Sequence, residues 1–287
     1  MPITIAEAVQ ETSGLARSKA DELRTRPLSY LLNGGLAGVY VGVAVVLLLA
    51  ITGPLASVTS PALKLVQGAV FGIALTLVVF AGAHLFTGEN MFMLQGLVRR
   101  TCNAGELVAI WVASLVANFV GSIALAAAVR ASGVFEAGVK PGKVAPADAL
   151  LQTIVTGKLA ATGPQLFWRA VLCNMLVCLG LWMATRTRSD AAKLVVLFWC
   201  LLAFIASGFE HSIANMTIFG LAILHGQATW AELGANLIWT VPGNIVGGGV
   251  IVGLVYAYSA RRHKAAEPAP EPAREAVGAA AQAGEVS

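Results

Sequence analysis

The chain has 287 residues, of which 57% are hydrophobic and only 12% charged, and its mean hydropathy is +0.76. A soluble domain of that length needs far more polar surface, so the composition specifies a polytopic all-α membrane protein. The net charge of +4 makes no case for a nucleic-acid partner, because the Lys and Arg residues gather at the ends of apolar segments, where they report topology.

Residues 1–28 form a polar N-terminal segment without a signal peptide: no apolar core with a small-residue cleavage site follows a charged start. Ile3, Ile5, Ala8, Val9, Leu15, Ala16 and Leu23 make a roughly helical apolar stripe. The plain reading is an amphipathic cytoplasmic helix lying under the membrane, and the sharper one is a gating element. Six apolar segments follow, at about 30–54, 65–98, 105–131, 164–185, 194–224 and 232–260. Each can cross a hydrocarbon core about 30 Å thick at about 1.5 Å per residue. The second and fifth are too long for a plain span and carry polar groups midway, which predicts two broken helices within a six-span domain over 29–260. The tail 261–287, rich in Ala, Pro and Glu without apolar periodicity, is expected to be disordered and cytoplasmic. With six spans and the N-terminus inside, thirteen Lys and Arg fall on the cytoplasmic side and six (Lys64, Arg130, Lys140, Lys143, Lys158, Arg169) outside. Both termini are therefore expected in the cytoplasm.

A repeat lies in the spacing. Gly82-Ala83-His84-Leu85 and Gly208-Phe209-Glu210-His211 are offset by 208 − 82 = 126, and so are Asn118-Phe119-Val120-Gly121 and Asn244-Ile245-Val246-Gly247, by 244 − 118 = 126. Three spans per repeat is an odd number, so the halves must be inverted.

The chemistry concentrates at the two breaks, since an ionisable residue inside a span is expensive and is read first as functional. The first break, Ala81 to Asn90, holds His84, Thr87 and Glu89 between glycines that let the backbone leave helical geometry. The second holds Glu210 and His211; a histidine with a pKa near ~6.5 titrates across physiological pH, and a neighbouring carboxylate can set its tautomer. Lys158 reads as a solvated charge in the outer connection, or as an anion concentrator if it stands at a pore mouth. Asn118, Asn174 and Asn244 read as interhelical glue. Cys102, Cys173, Cys178 and Cys200 show no zinc-type or redox spacing, and no nucleotide-binding loop is present, so no metal, cofactor or ATP drive is expected.

Leu85-Phe86-Thr87-Gly88, Leu172-Cys173-Asn174-Met175-Leu176-Val177-Cys178-Leu179 and the run Phe204 to Met216 resemble the formate/nitrite transporter family over residues 15–260, most closely its nitrite-channel branch. The resemblance implies an aquaporin-like protomer in a homopentamer, one anion pore per subunit, in the bacterial inner membrane. It implies His211 as the central pore residue, Thr87 as its hydroxyl partner and Lys158 as the vestibule lysine. Asn174 and Glu210 become polar supports and Asn244 the last-span asparagine, with Phe71, Leu75, Leu85, Phe86, Val177 and Phe204 as apolar constrictions. The family commonly has a carboxylate where this chain has His84, and Glu89 is an added acid, so these two are expected to modulate selectivity and pH response. The expected substrate is nitrite with possible proton coupling; formate is the alternative, then hydrosulfide or a short carboxylate. An intramembrane enzyme using Glu210 and His211 lacks a nucleophile or metal set. A neutral-solute channel lacks the paired Asn-Pro-Ala corners.

Overall fold

The structure, a computed structural model, describes residues 2–266, and all the regular structure in them is helical. The expected disordered tail begins inside the last helix, which runs to Ala266, and otherwise lies outside the described residues.

The helices start where the sequence satisfies their first amides. Helix α1 (Ile5–Thr25) opens on a Thr4/Glu7 capping box, and α6 (Ala104–Ser132) on Asn103/Glu106. Helix α11 (Trp230–Asn244) opens on Thr229/Glu232, the α6 box displaced by 229 − 103 = 126. Between α1 and α6 come α2 (Pro27–Ser57), α3 (Leu63–Phe71), α4 (Ile73–Phe80) and α5 (Phe86–Arg99). After α6 come α7 (Pro146–Leu159), α8 (Gly163–Thr185), α9 (Asp190–Ala206) and α10 (Ser212–Leu224). Helix α11 passes through a π-helical stretch, Ile245–Leu254, into α12 (Val255–Ala266). Among the described residues, five helices are long and apolar enough to cross a membrane: Pro27–Ser57, Leu63–Phe80, Ala104–Ser132, Gly163–Thr185 and Trp230–Ala260.

Two features depart from the sequence reading. Helix α7 occupies the outer connection that holds Lys158, for which the sequence reading named no helix, with Pro146 at its N-terminus and Lys158 in its last turn. Helix α1 does not present all of its apolar stripe to one partner: Ala8, Val9 and Ala16 are buried against the bundle while Leu15 is 42% exposed.

The two halves are built on the same backbone approach. A Cβ on Gly121 of α6 would lie 1.9 Å from the Gly35 carbonyl oxygen of α2, and one on Gly247 would lie 2.1 Å from that of Val171 in α8. Any larger residue would drive these helices apart, so the glycines set the packing distance of each pair. Gly82 and Gly208, at φ of +77° and +73°, sit in the left-handed region where the chain turns out of α4 and α9.

Candidate functional site

The chain leaves helical geometry over residues 81–85 and 207–211, and the freed backbone groups are met by the same bonds in both places. Asn118 Nδ2 donates to the carbonyls of Gly34 (2.8 Å) and His84 (2.9 Å), while its Oδ1 accepts the Phe86 amide at 2.9 Å. Asn244 Nδ2 donates to the carbonyls of Ala170 (2.8 Å) and Glu210 (3.0 Å), while its Oδ1 accepts the Ser212 amide at 2.9 Å. The amides of residues 84 and 210 reach the carbonyls of Asn33 and Arg169, both at 3.3 Å. Without these partners each corner would bury orphan backbone groups at about 1–3 kcal/mol apiece. A third amide, Asn174 Nδ2, holds the carbonyls of Thr87 (3.0 Å) and Asn244 (2.7 Å) and so ties the two corners together.

His211 caps α10. Its Nδ1 accepts the Ala214 amide at 3.2 Å, and its Nε2 lies 3.1 Å from Thr87 Oγ1. A ring nitrogen that accepts a backbone N–H carries no proton, so the neutral ring bears its proton on Nε2 and donates it to Thr87. The Phe204 ring stacks on His211 at 5.9 Å and the Phe71 ring meets Phe204 edge-on at 5.7 Å.

Two cavities approach this centre from opposite corners. One, about 560 Å³, is lined by Phe71, Phe204, Glu210 and His211 together with Lys64, Lys158 and Arg169. The other, about 720 Å³, is lined by Leu85, His84, Glu89 and Leu181 together with Lys19, Arg188 and Lys193. Leu85 and His211, separated by 126 positions, each face one of them. Thr87, Leu75, Phe86 and Val177 line neither and are buried. Asn174 and Asn244 likewise line neither, their amides being occupied by backbone carbonyls.

Each cavity holds a lysine–glutamate pair beside its corner. Lys158 Nζ is 2.7 Å from Glu210 Oε2, which also accepts from Asn215 Nδ2 at 2.8 Å. Asn215 donates onward to Asn236 Oδ1 at 2.8 Å. The solvated-charge reading of Lys158 is thus corrected: its side chain is 13% exposed and salt-bridged. In the other cavity Lys19 Nζ lies 2.7 Å from Glu89 Oε1 and 2.9 Å from His84 Nδ1, while His84 Nε2 is 3.1 Å from Glu22 Oε2. The His84 ring also stacks on Tyr30 at 4.3 Å. The acid has changed place between the halves: Glu210 and Asn215 on one side answer to His84 and Glu89 on the other.

Lys19, Glu22, Asn215, Asn236 and Arg169 were not singled out as site residues from sequence. Lys19 and Glu22 are two of many charges on a polar helix, and their i, i+3 spacing toward His84 was the one available signal.

The description "Formate/nitrite transporter" belongs to the family model that matches residues 6–258. The nitrite transporter NirC of Escherichia coli is 40% identical over 261 residues, covering 89% of this chain and 91% of its own. A solved FNT family ion channel superposes with a TM-score of 0.80 at 37% identity, over 88% of this chain and 98% of that one. A pentameric formate channel with formate bound superposes with a TM-score of 0.66 at 29% identity, over 81% and 96%.

Proposed function

Because the chain belongs to the formate/nitrite transporter family, we propose that it carries nitrite across the bacterial inner membrane through one pore per protomer of a homopentamer. The observation that carries this reading is His211, whose tautomer is set by Ala214 and whose Nε2–H points at Thr87 where the two cavities approach each other. Formate is the second reading, supported by the likeness to the formate-bound pentamer. The protomer has six spans in an inverted repeat, the second interrupted between α4 and α5 and the fifth between α9 and α10. Both termini lie in the cytoplasm, so α1 and Lys19 face the inner cavity and Lys158 the outer one.

Nitrite enters the outer cavity under the attraction of Lys158, Arg169 and Lys64. A bare anion cannot pass the apolar path of Phe71, Leu75, Phe204, Leu85, Phe86 and Val177 without a desolvation cost of several kcal/mol. Nε2–H of His211 and the Thr87 hydroxyl receive it. For the ring to hand the Nε2 proton to nitrite, Nδ1 must take up another from the outer cavity and release the Ala214 amide, which leaves a buried donor unpaired at about 1–3 kcal/mol. Nitrous acid then crosses as a neutral molecule, and uptake follows the inward proton gradient. Glu210 fixes Lys158, while Asn174 and Asn244 hold the corner backbone in place; His84 and Glu89 tune the inner mouth through Lys19.

The test is nitrite and formate uptake into proteoliposomes with and without an inward proton gradient, for the parent protein and His211→Phe. Gradient-driven nitrite uptake that exceeds formate uptake, and loses its gradient dependence in His211→Phe, is the expected result. Intact proton-coupled uptake in His211→Phe excludes the relay, and faster formate uptake reverses the order of substrates.

A further inference from the structure

The loop after α6, the first turn of α7 and the end of α10 meet at a point that lines neither cavity. One donor atom each from Glu136, Asp148 and His225 lies within 4.8 Å of the others there. The residues are too far apart in sequence for any ligand spacing to reveal them, and a metal ligand set was not expected from sequence.

Two observations distinguish this cluster from surface charge. Asp148 is only 9% exposed, yet its Oδ1 has no hydrogen-bond partner although His225 Nδ1 stands 3.0 Å away. The contact therefore lacks the alignment of a hydrogen bond. Two donors on one tetrahedral metal, each bonded at about 2.0–2.2 Å, stand roughly 3.3–3.6 Å apart, so the 3.0 Å between Asp148 Oδ1 and His225 Nδ1 need widen by only about 0.3–0.6 Å to admit the ion. The His225 side chain is 7% exposed and its Nε2 is also without a partner. A buried carboxylate oxygen with no donor is costly, and a cation is the natural complement.

The surrounding charges agree: a divalent cation would offset the two carboxylates that the fold holds this close together. Arg130 Nη1, 3.0 Å from Glu136 Oε1, is the competing cation; both side chains are nearly half exposed, so Glu136 can leave that pair at little cost.

We propose that Glu136, Asp148 and His225 bind a divalent transition-metal ion at this point, with a fourth position open to water. One imidazole and two carboxylates suit zinc or its neighbours better than calcium, which takes six to eight oxygens. The ion would join the α6–α7 loop and the end of α10 to the helix that carries Lys158, ten residues further along (158 − 148 = 10).

The experiment uses untagged full-length protein in detergent, stripped with a chelator and titrated calorimetrically with zinc ions. One saturable site per protomer is expected, unaffected by millimolar calcium, with a zinc-dependent rise in the thermal unfolding midpoint. Asp148→Asn and His225→Gln should each weaken binding at least 100-fold. Glu136→Gln, a change at a half-exposed loop position that leaves the fold in place, should weaken it at least 10-fold. Absence of saturable zinc binding overturns the proposal, as does binding of equal strength in Glu136→Gln and the parent. Neither result bears on the anion pathway.

Discussion

Removing the Lys158 ammonium is the sharpest test of how the cavity beside Glu210 handles charge. Its Nζ lies 2.7 Å from Glu210 Oε2, in a pair whose side chains are 13% and 4% exposed. Lys158→Met therefore does two things at once: it takes away an attracting cation, and it strands a buried carboxylate with Asn215 as its remaining donor. At a separation of about 6 Å and an effective dielectric constant of about 20, that stranded charge repels an anion beside His211 by roughly 2.8 kcal/mol, or about 100-fold in occupancy. Nitrite uptake into proteoliposomes at sub-saturating concentration should fall by about that factor in Lys158→Met. Glu210→Gln in the same chain removes the repulsion without restoring the ammonium, so the double variant should recover at least tenfold of the loss. A double variant no faster than Lys158→Met would show that the ammonium alone accounts for the effect, and would refute the stranded-carboxylate argument.

Asn118→Leu and Asn244→Leu each leave a corner carbonyl and a corner amide without partners, so each should destabilise the protein by about 2–6 kcal/mol. Thermal unfolding in detergent should show similar losses for the two, and a loss below about 1 kcal/mol would count against the clamp. His84→Glu sets a third carboxylate beside Glu22 and Glu89 with Lys19 between them, and should loosen α1 by about 1–2 kcal/mol while transport persists. Faster amide exchange confined to α1 is the expected signature, and unchanged exchange contradicts it. Native mass measurement in mild detergent should find five protomers; an active monomer or dimer contradicts the pentamer.

Much of the helical layout was legible because interruptions in apolar runs stand out. Glycine followed by polar residues at 82–84 and 208–211 located both non-helical corners, and the offset of 126 linked them. Asn118 and Asn244 were legible as interhelical donors but not as clamps, because their acceptors lie on α2 and α8, tens of residues away. The solvated-charge reading of Lys158 fails for the same reason: nothing near it in sequence announces Glu210, 52 residues on. Helix α7 had local signals, Pro146 at its first turn and Asp148 just after it, but the glycines and lysines upstream obscured them. The contacts of Lys19 depend on where α1 docks, and amphipathic periodicity alone does not specify a partner.

The placement of the asparagine clamps has a consequence for biosynthesis. The first corner is held by Asn118 of α6 reaching to Gly34 of α2 and to His84, so every group it needs has been synthesised once α6 has emerged. Before then, the segment between α4 and α5 has no means of satisfying its backbone in lipid, and it must wait near the interface or in the insertion machinery. The second corner waits in the same way for Asn244. The bonds that meet at Thr87, from His211, Asn174 and Cys178, need both halves, so the joint between the two cavities cannot form until the second half has been made. A ribosome paused after α6 would carry a finished corner and an unfinished passage.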